Sequence, residues 1–210
     1  MTTVDRDGAK PTLAAVLIAA GESSRMGQPK ALLHWEGTTL LQYQAQQLCQ
    51  TLAEEVVVVL GDRSKEYERL LGGTVGLDKV RVAVNRDFKL GKAGSIKKGL
   101  ASIKSEPDAV MVLAVDQPRH YPLLQRLFDA HIAGKSLITV PMFRGRHGHP
   151  PIFSWSLKQE LLSITEERRG LRQVMEAHKR NLHEVDLGQP VVLVNINTAE
   201  EYQSAVRLAG

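Results

Sequence analysis

An uninterrupted apolar run at residues 13–20 ends at a glycine and opens into a loop of small and cationic residues. A run that is apolar at every position, rather than at alternate positions, is typical of a parallel strand covered on both faces. Further strand-like runs at residues 55–60, 79–85 and 109–115 alternate with helical patterns. This alternation predicts βαβ units and an α/β fold of three layers, α/β/α, around a mostly parallel central sheet.

Two helical patterns lie between these runs. The first follows Thr38 or Thr39, either of which can cap a helix. Its apolar residues recur at helical spacing: Leu41, Ala45, Leu48 and Leu52. The second begins near Gly94 and carries one apolar stripe over residues 96–103. Each helix is therefore a candidate crossover between parallel strands.

The loop after the first strand has the composition of a phosphate-binding loop. It carries hydroxyl groups and cations at Ser23, Ser24, Arg25 and Lys30. Gly21 and Gly27 tolerate backbone conformations that let successive amide N–H groups converge on anionic oxygens. Nucleotides bind open α/β sheets at the carboxyl ends of the strands, and this loop begins at such an end. Its glycine spacing matches neither the P-loop nor the dinucleotide Gly-x-Gly-x-x-Gly pattern.

A second candidate site follows the most apolar predicted strand. Asp116 emerges where that strand ends, and Pro118 prevents the strand from continuing. Mg²⁺ prefers oxygen ligands and usually takes one or two carboxylates, with water and substrate phosphates completing its shell. Asp116 is therefore a candidate Mg²⁺ ligand, and an aspartate that only caps the following turn is the alternative.

The string Ala-Ala-Gly-x-Ser-x-Arg-Met-Gly-x-x-Lys at residues 19–30 resembles the signature loop of the MobA-like nucleotidyltransferases. Its first three residues are more similar to the molybdenum cofactor cytidylyltransferase branch than to the guanylyltransferase branch. The resemblance implies a Rossmann-like nucleotidyltransferase fold and Mg²⁺-dependent transfer of CMP from CTP onto the phosphate of molybdopterin.

The resemblance also implies roles for individual residues. Nucleotide binding falls to Ala19, Ala20, Gly21, Glu22, Ser23, Ser24 and Gly27. In the transfer reaction, Arg25 would neutralise the leaving pyrophosphate and Lys30 the α-phosphate. Asp116 matches the family's magnesium-binding aspartate. No covalent protein nucleophile is needed for such a transfer.

Two later segments extend the resemblance. The turn at residues 91–96 resembles part of the family's base and ribose pocket, which implies that role for Gly91 and Ser95; a serine helix cap is the alternative. Residues 195–202 match a segment that often supplies a second metal ligand, but Asn195 and Asn197 stand where acidic residues are common. An amide oxygen coordinates Mg²⁺ without a charge, and the first position of the motif favours Asn195. A capping box at Thr198 is the plainer reading.

The segment at residues 144–153 resembles the family's acceptor loop, which implies acceptor binding by Gly148, His149 and Pro150. Its glycines and prolines predict an irregular loop between two extended stretches. Zinc at His147 and His149 is a weaker alternative, because zinc usually needs three or four protein ligands. Arginines at residues 168–172 can meet an anionic acceptor or be solvated.

Composition agrees with a compact enzyme. With 210 residues, 43% of them hydrophobic, the chain suits one domain at residues 13–210 after a flexible tail at 1–12. Residues 13–118 form the predicted nucleotide-binding part and 119–210 the acceptor-binding part. No run approaches a membrane span and the start is polar, so we expect a cytoplasmic protein without a membrane partner. Cys49 falls on a predicted helix as a small buried residue rather than a nucleophile.

The remaining alternatives concern substrates. The net charge of +4 favours anionic ligands, but the cations are scattered, which argues against nucleic acid. A sugar phosphate or another small phosphate is the alternative acceptor, and guanylyl transfer to the same cofactor is the alternative donor chemistry. A nucleotide-binding accessory protein is the non-enzymatic alternative. A molybdoenzyme or its chaperone is the partner implied for the product.

Overall fold

The computed structural model describes residues 10–21, 27–61 and 63–209. The strands in these ranges are β1 Leu13–Ala19, β2 His34–Trp35, β3 Thr38–Thr39, β4 Ala53–Leu60, β5 Val80–Val84, β6 Ala109–Ala114, β7 Ile138–Phe143, β8 Arg146–His147, β9 Ile152–Ser154 and β10 Leu182–Asp186. The α-helices are α1 Leu40–Gln50, α2 Ser64–Gly72, α3 Lys92–Ser102, α4 Tyr121–Gly134, α5 Lys158–Leu162, α6 Leu171–Ala177 and α7 Ala199–Ala209.

Most strands form one central sheet in the order β10-β7-β9-β6-β1-β4-β5, with β8 paired to β7. β1 lies in the middle and pairs in parallel with β4 and β6. β5 pairs in parallel with β4, and β10 with β7. β9 runs antiparallel to both neighbours, which the sequence did not predict. The mostly parallel sheet, flanked by helices, confirms the predicted fold class.

β1 is covered on both faces, which is why its sequence is apolar at every position. Leu17 belongs to an apolar core that includes α1 and α4, whereas Val16 belongs to a second core on the side of α3. Gly99 of α3 lies so close to the sheet that an added Cβ would overlap the side chains of Val16 and Val59. The two cores make the three predicted layers.

The first crossover helix begins where predicted and ends earlier. Thr39 caps α1: its side chain accepts the N–H of Gln42, and the Gln42 side chain accepts the N–H of Thr39. The helix stops at Gln50, so Leu52 lies beyond it and is 56% exposed rather than part of the apolar stripe. The second crossover helix, α3, begins two residues before the predicted Gly94.

Cys49 lies on α1 and is buried, as predicted. Burial raises the pKa of its thiol to about 11, so the nucleophilic thiolate is scarce at neutral pH. In the described part of the chain, none of the helices combines the length and apolar character needed to cross a bilayer.

Candidate active site

A cavity of about 270 Å³ lies at the carboxyl edge of the sheet, beside the ends of β1 and β6. The residues predicted for the site that line it are Ala19, Ala20, Gly21, Lys30, Gly91, Ser95 and Asp116. Apolar side chains, including Phe88 and Ile18, complete the wall. The two ends of the predicted phosphate loop, the α3 turn and the predicted metal ligand Asp116 therefore meet in one place.

Four residues of the predicted phosphate loop lie outside the described residues, so their roles stay predictions: Glu22, Ser23, Ser24 and Arg25. Gly27 is exposed, has a φ of 65° and is not among the residues lining the described cavity. That φ favours glycine, because other residues are strained there.

Lys30 joins two predicted parts of the site. Its Nζ donates to Asp116 Oδ2 at 2.9 Å and to Asn197 Oδ1 at 3.0 Å. The side chains of Lys30 and Asp116 are only 14% and 21% exposed. Because water is largely excluded, their attraction is stronger than that of a surface ion pair. The ammonium thus links three segments that are far apart in the sequence.

Asp116 retains an oxygen suited to a cation. Its Oδ1 is buried and has no hydrogen-bond partner among the described residues. Buried carboxylate oxygens normally have a partner, so this atom points to a ligand. Asp116 and Asn197 offer the oxygen donors that hard divalent cations prefer. The described residues contain no group of three His, Cys, Asp or Glu side chains that would hold a metal, so water and phosphates would complete the shell.

Asn197, rather than Asn195, reaches the cavity. The N–H of Ile196 donates to the main-chain oxygen of Asp116 at 2.8 Å, which docks this segment beside the aspartate. Asn197 lines the cavity, whereas Asn195 is exposed. The predicted capping box also forms, since Glu201 accepts the N–H of Thr198 and donates its own N–H to the Thr198 hydroxyl. Metal binding by Asn195 stays a prediction, and Asn195 is not among the residues that line the cavity.

The α3 turn brings Gly91 and Ser95 to the same cavity. Gly91 precedes the helix with a φ of 121°, and an added Cβ there would overlap Glu166. Ser95 is buried within the first turns of α3 and accepts from Asn85 Nδ2 at 3.0 Å, so it is not the helix cap. Lys92 also lines the cavity and adds a positive charge there.

The predicted acceptor loop packs against the segment that leads to Asn197. The N–H of His149 donates to the main-chain oxygen of Val192 at 2.9 Å, and an added Cβ on Gly148 would overlap the same oxygen. Gly148 and Pro150 are buried, whereas His149 is exposed at one side although protein surrounds much of its ring. Close packing at this loop therefore requires glycine at 148.

His149 lies in a positive environment. Desolvation by the surrounding protein, together with the charges of Lys92, Arg119 and Arg172, lowers its pKa to about 4, with Asp116 acting in the opposite direction. His149 is therefore neutral at pH 7, and the cations around it favour an anionic ligand. Of the predicted arginine cluster, Arg172 contributes to this field.

In the described part of the chain, the two loop histidines do not belong to a group that could hold a metal. His147 Nε2 pairs with Glu184 Oε1 at 2.5 Å on the exposed side of the loop. Among the described residues, no third His, Cys, Asp or Glu groups with these histidines. The zinc alternative is therefore without support.

Two buried polar residues near Asp116 have no counterpart in the sequence prediction. Gln44 of α1 donates to the Gln117 main-chain oxygen at 2.6 Å and accepts the N–H of Arg119 at 3.0 Å. Arg119 is 1% exposed. Glutamine and arginine are usually exposed, so a sequence pattern alone gives little signal that these two are not.

A mostly parallel sheet with an anion-suited cavity at its carboxyl edge defines a nucleotide-binding α/β domain. Comparison with known protein families supports this class. The chain belongs to the MobA-like NTP transferase domain family, whose profile it matches over residues 15–183. Membership identifies an enzyme of the nucleotidyltransferase class and confirms the family suggested by the loop at residues 19–30.

Similar proteins carry two kinds of name. The chain is 27% identical to the nicotine blue oxidoreductase of Paenarthrobacter nicotinovorans, over 91% of this chain and 95% of that protein. It is 26% identical to a probable molybdenum cofactor guanylyltransferase of Bacillus cereus strain AH820, over 91% of this chain and 94% of that one.

Solved structures share the fold. The Rv0371c protein of Mycobacterium tuberculosis H37Rv superposes with a TM-score of 0.79 at 23% identity, covering 93% of this chain and 97% of that one. A structure of Rv0371c in complex with manganese has a TM-score of 0.75 at 22% identity and covers 94% and 99%. The similarity therefore extends over nearly the whole of both chains.

Proposed function

We propose that the protein transfers a nucleoside monophosphate from a nucleoside triphosphate onto the phosphate of molybdopterin, with release of pyrophosphate and with Mg²⁺ as the metal. CTP is the leading donor. The observation that carries the proposal is the contact of Lys30 with both Asp116 and Asn197 inside the cavity. This arrangement supports the proposal because it brings one ammonium together with two potential metal ligands in the cavity.

The proposed reaction needs positioning and charge neutralisation from these residues. An oxygen of the acceptor phosphate attacks the α-phosphorus as the bond to the departing pyrophosphate breaks. Lys30 stabilises the charge that develops on the α-phosphate oxygens. Asp116 and Asn197 would hold the divalent cation, whose contribution is Lewis-acid neutralisation of phosphate oxygens. Arg25 would meet the pyrophosphate.

The acceptor half of the proposal rests on the loop at residues 146–150. Its main chain is fixed against Val192, and the neutral His149 sits among cations. A neutral imidazole can hydrogen-bond a phosphate or a pterin group, while the surrounding charges attract a phosphorylated acceptor. A molybdoenzyme or its chaperone is the proposed recipient of the product.

Guanylyl transfer to the same acceptor is the second candidate. The observation that favours it is the name of the Bacillus relative, a probable guanylyltransferase. The Ala-Ala-Gly sequence at residues 19–21 favours CTP instead. The two candidates share the Lys30–Asp116 chemistry and differ in the base that the cavity accepts.

The first experiment is a pyrophosphate-release assay with Mg²⁺ or Mn²⁺ and each of CTP, GTP, ATP and UTP. Each reaction is run alone, with molybdopterin, with molybdenum-loaded molybdopterin and with glucose 1-phosphate. We expect release with CTP that depends on the pterin, and mass spectrometry should find the pterin dinucleotide. Release with GTP would support the second candidate. Release of pyrophosphate only with the sugar phosphate would contradict the proposed acceptor. Oxidation of NADH or NADPH is measured in parallel, because one relative is named an oxidoreductase.

Variants test the metal site. D116N removes the proposed anionic ligand, so we expect kcat to fall by roughly 10²-fold or more. N197A should raise the Mg²⁺ concentration needed for half-maximal rate. N195A is the matched control, because Asn195 is exposed and outside the cavity lining. A stronger defect in N195A than in N197A would reverse this assignment.

A further inference from the structure

A buried arginine connects the separate segments of the candidate site. Arg119 follows the loop that begins with Asp116, and its side chain is among the largest that are fully buried. Its guanidinium donates to four main-chain carbonyl oxygens, those of Pro118 at 2.7 Å, His149 at 2.9 Å, Val192 at 2.8 Å and Val194 at 3.0 Å. Three of these oxygens belong to segments at least 30 residues away.

The contacted carbonyls belong to the parts of the chain that carry the site. His149 is in the predicted acceptor loop, and Val192 and Val194 lead directly to Asn197. The oxygen of Val192 accepts from both Arg119 and the N–H of His149, so it joins the two segments. A planar guanidinium presents five donors in a fixed geometry and can hold four acceptors at once, whereas an ammonium has only three donors.

The main chain, rather than an ion pair, compensates the buried charge of Arg119. Asp116 attracts the guanidinium electrostatically, but among the described residues no carboxylate lies within ion-pair distance of it. A buried cation without such a pair is costly unless its donors are satisfied. Four carbonyl acceptors compensate in part, and they fix the loops relative to Asp116.

We propose that Arg119 is a positioning residue that holds the acceptor loop at residues 146–150 and the segment at 192–197 in register with Asp116. The inference rests on the proposed function and extends it. Arg119 touches main-chain oxygens rather than the cavity, so its loss moves the acceptor relative to the nucleotide. Because a shift of about 1 Å can lower a rate about 10²-fold, we expect kcat to fall while nucleotide binding changes little.

The test compares R119K and R119Q with the control R126K, since Arg126 is exposed on the nearby helix α4. We expect kcat to fall at least tenfold in R119K and further in R119Q, with the Kd for nucleotide within threefold of the wild type. Lysine keeps the charge and some donors, so it should rescue part of the rate lost in R119Q. G148A disturbs the same contact without touching Arg119, because its Cβ overlaps the Val192 oxygen, and it should lower kcat in the same way.

Hydrogen–deuterium exchange provides a readout that does not require activity. In R119K we expect faster exchange in peptides covering residues 146–150 and 192–197, and unchanged exchange in α3. A wild-type protein that transfers no nucleotide to any acceptor would defeat the proposed function, while the exchange result would still decide the role of Arg119. The inference is overturned if R119K and G148A keep kcat within threefold of the wild type, or if exchange in both segments is unchanged. It is also overturned if kcat and nucleotide affinity fall together in proportion to unfolded protein.

Discussion

Replacing Lys30 with methionine should have opposite effects on metal binding and on catalysis. The Lys30 ammonium holds Asp116 Oδ2 at 2.9 Å and Asn197 Oδ1 at 3.0 Å. A cation bound at the unpartnered Asp116 Oδ1 would compete with this ammonium for the charge of the carboxylate and for the Asn197 oxygen. K30M should therefore bind Mn²⁺ more tightly than the wild type, although it loses the charge proposed to stabilise the transition state.

The contacts set the size of both effects. A hydrogen bond between charged groups contributes about 1.5–3 kcal/mol when it is partly buried, as this one is. Freeing Asp116 of that competitor should raise Mn²⁺ affinity roughly 10- to 100-fold, since each 1.4 kcal/mol or so is tenfold. Removing one donor to developing charge costs roughly 10²- to 10³-fold in kcat.

Electron paramagnetic resonance of free Mn²⁺ measures the affinity without nucleotide, and pyrophosphate release measures kcat. K98M is the matched control, because Lys98 is exposed on α3. Circular dichroism at 25 °C should give the same spectrum for all three proteins. Mn²⁺ affinity in K30M that is equal to or weaker than that of the wild type would refute the competition. A kcat within tenfold of the wild type would refute the catalytic role.

Three further predictions concern stability, measured by urea unfolding. The G99A substitution should lower the free energy of unfolding by about 1–3 kcal/mol, because its Cβ overlaps Val16. The control G72A has open space around its Cβ and should not be destabilised. Equal unfolding free energies for the two variants would contradict the close packing at Gly99. Burial raises the pKa of Glu55, but hydrogen bonds from residues 104 and 105 outweigh this effect, so the net pKa is lowered. The E55Q substitution should therefore lower the free energy of unfolding by about 2–3 kcal/mol at pH 7. The stabilisation by the Glu55 carboxylate is lost as the pH falls below about 4.3, so a difference in unfolding free energy between E55Q and the wild type that stays constant down to pH 3 would refute this prediction. Burial lowers the pKa of His131 to about 4, so its contribution to stability rises with pH between about 4 and 6.5, by about 1.4 kcal/mol per unit, and H131N should remove that slope.

The α/β fold could be predicted from the sequence because the patterns that indicate its central strands are local. The run at residues 13–20 is apolar throughout because β1 is central in the sheet and buried on both faces. The same reasoning found β4, β5 and β6. It could not find the antiparallel direction of β9, because strand direction depends on how a short segment of three residues inserts between β6 and β7.

The candidate site was readable where a residue follows directly from the end of a strand. Asp116 and Gly21 are such residues, since the ends of parallel strands meet at one edge of the sheet. The choice between Asn195 and Asn197 could not be made in this way. It depends on the hydrogen bond from Ile196 to the Asp116 main chain, which fixes the side of the segment that faces the cavity.

The segments around the candidate site are therefore held in two different ways. β1 and β6 position Asp116 through sheet pairing, which a single side-chain substitution outside the sheet hardly changes. Asn197 lines the cavity from an irregular segment. That segment and the acceptor loop, which is not among the lining residues, are joined through Val192 and the buried Arg119. The proposed metal and phosphate contacts of Asp116 and Lys30 would therefore be unaffected when the acceptor loop varies in sequence, provided that its carbonyl groups keep the same positions. On this basis, a change of acceptor would need substitutions in the side chains of residues 146–150, and a change at Arg119 would impair transfer to every acceptor alike.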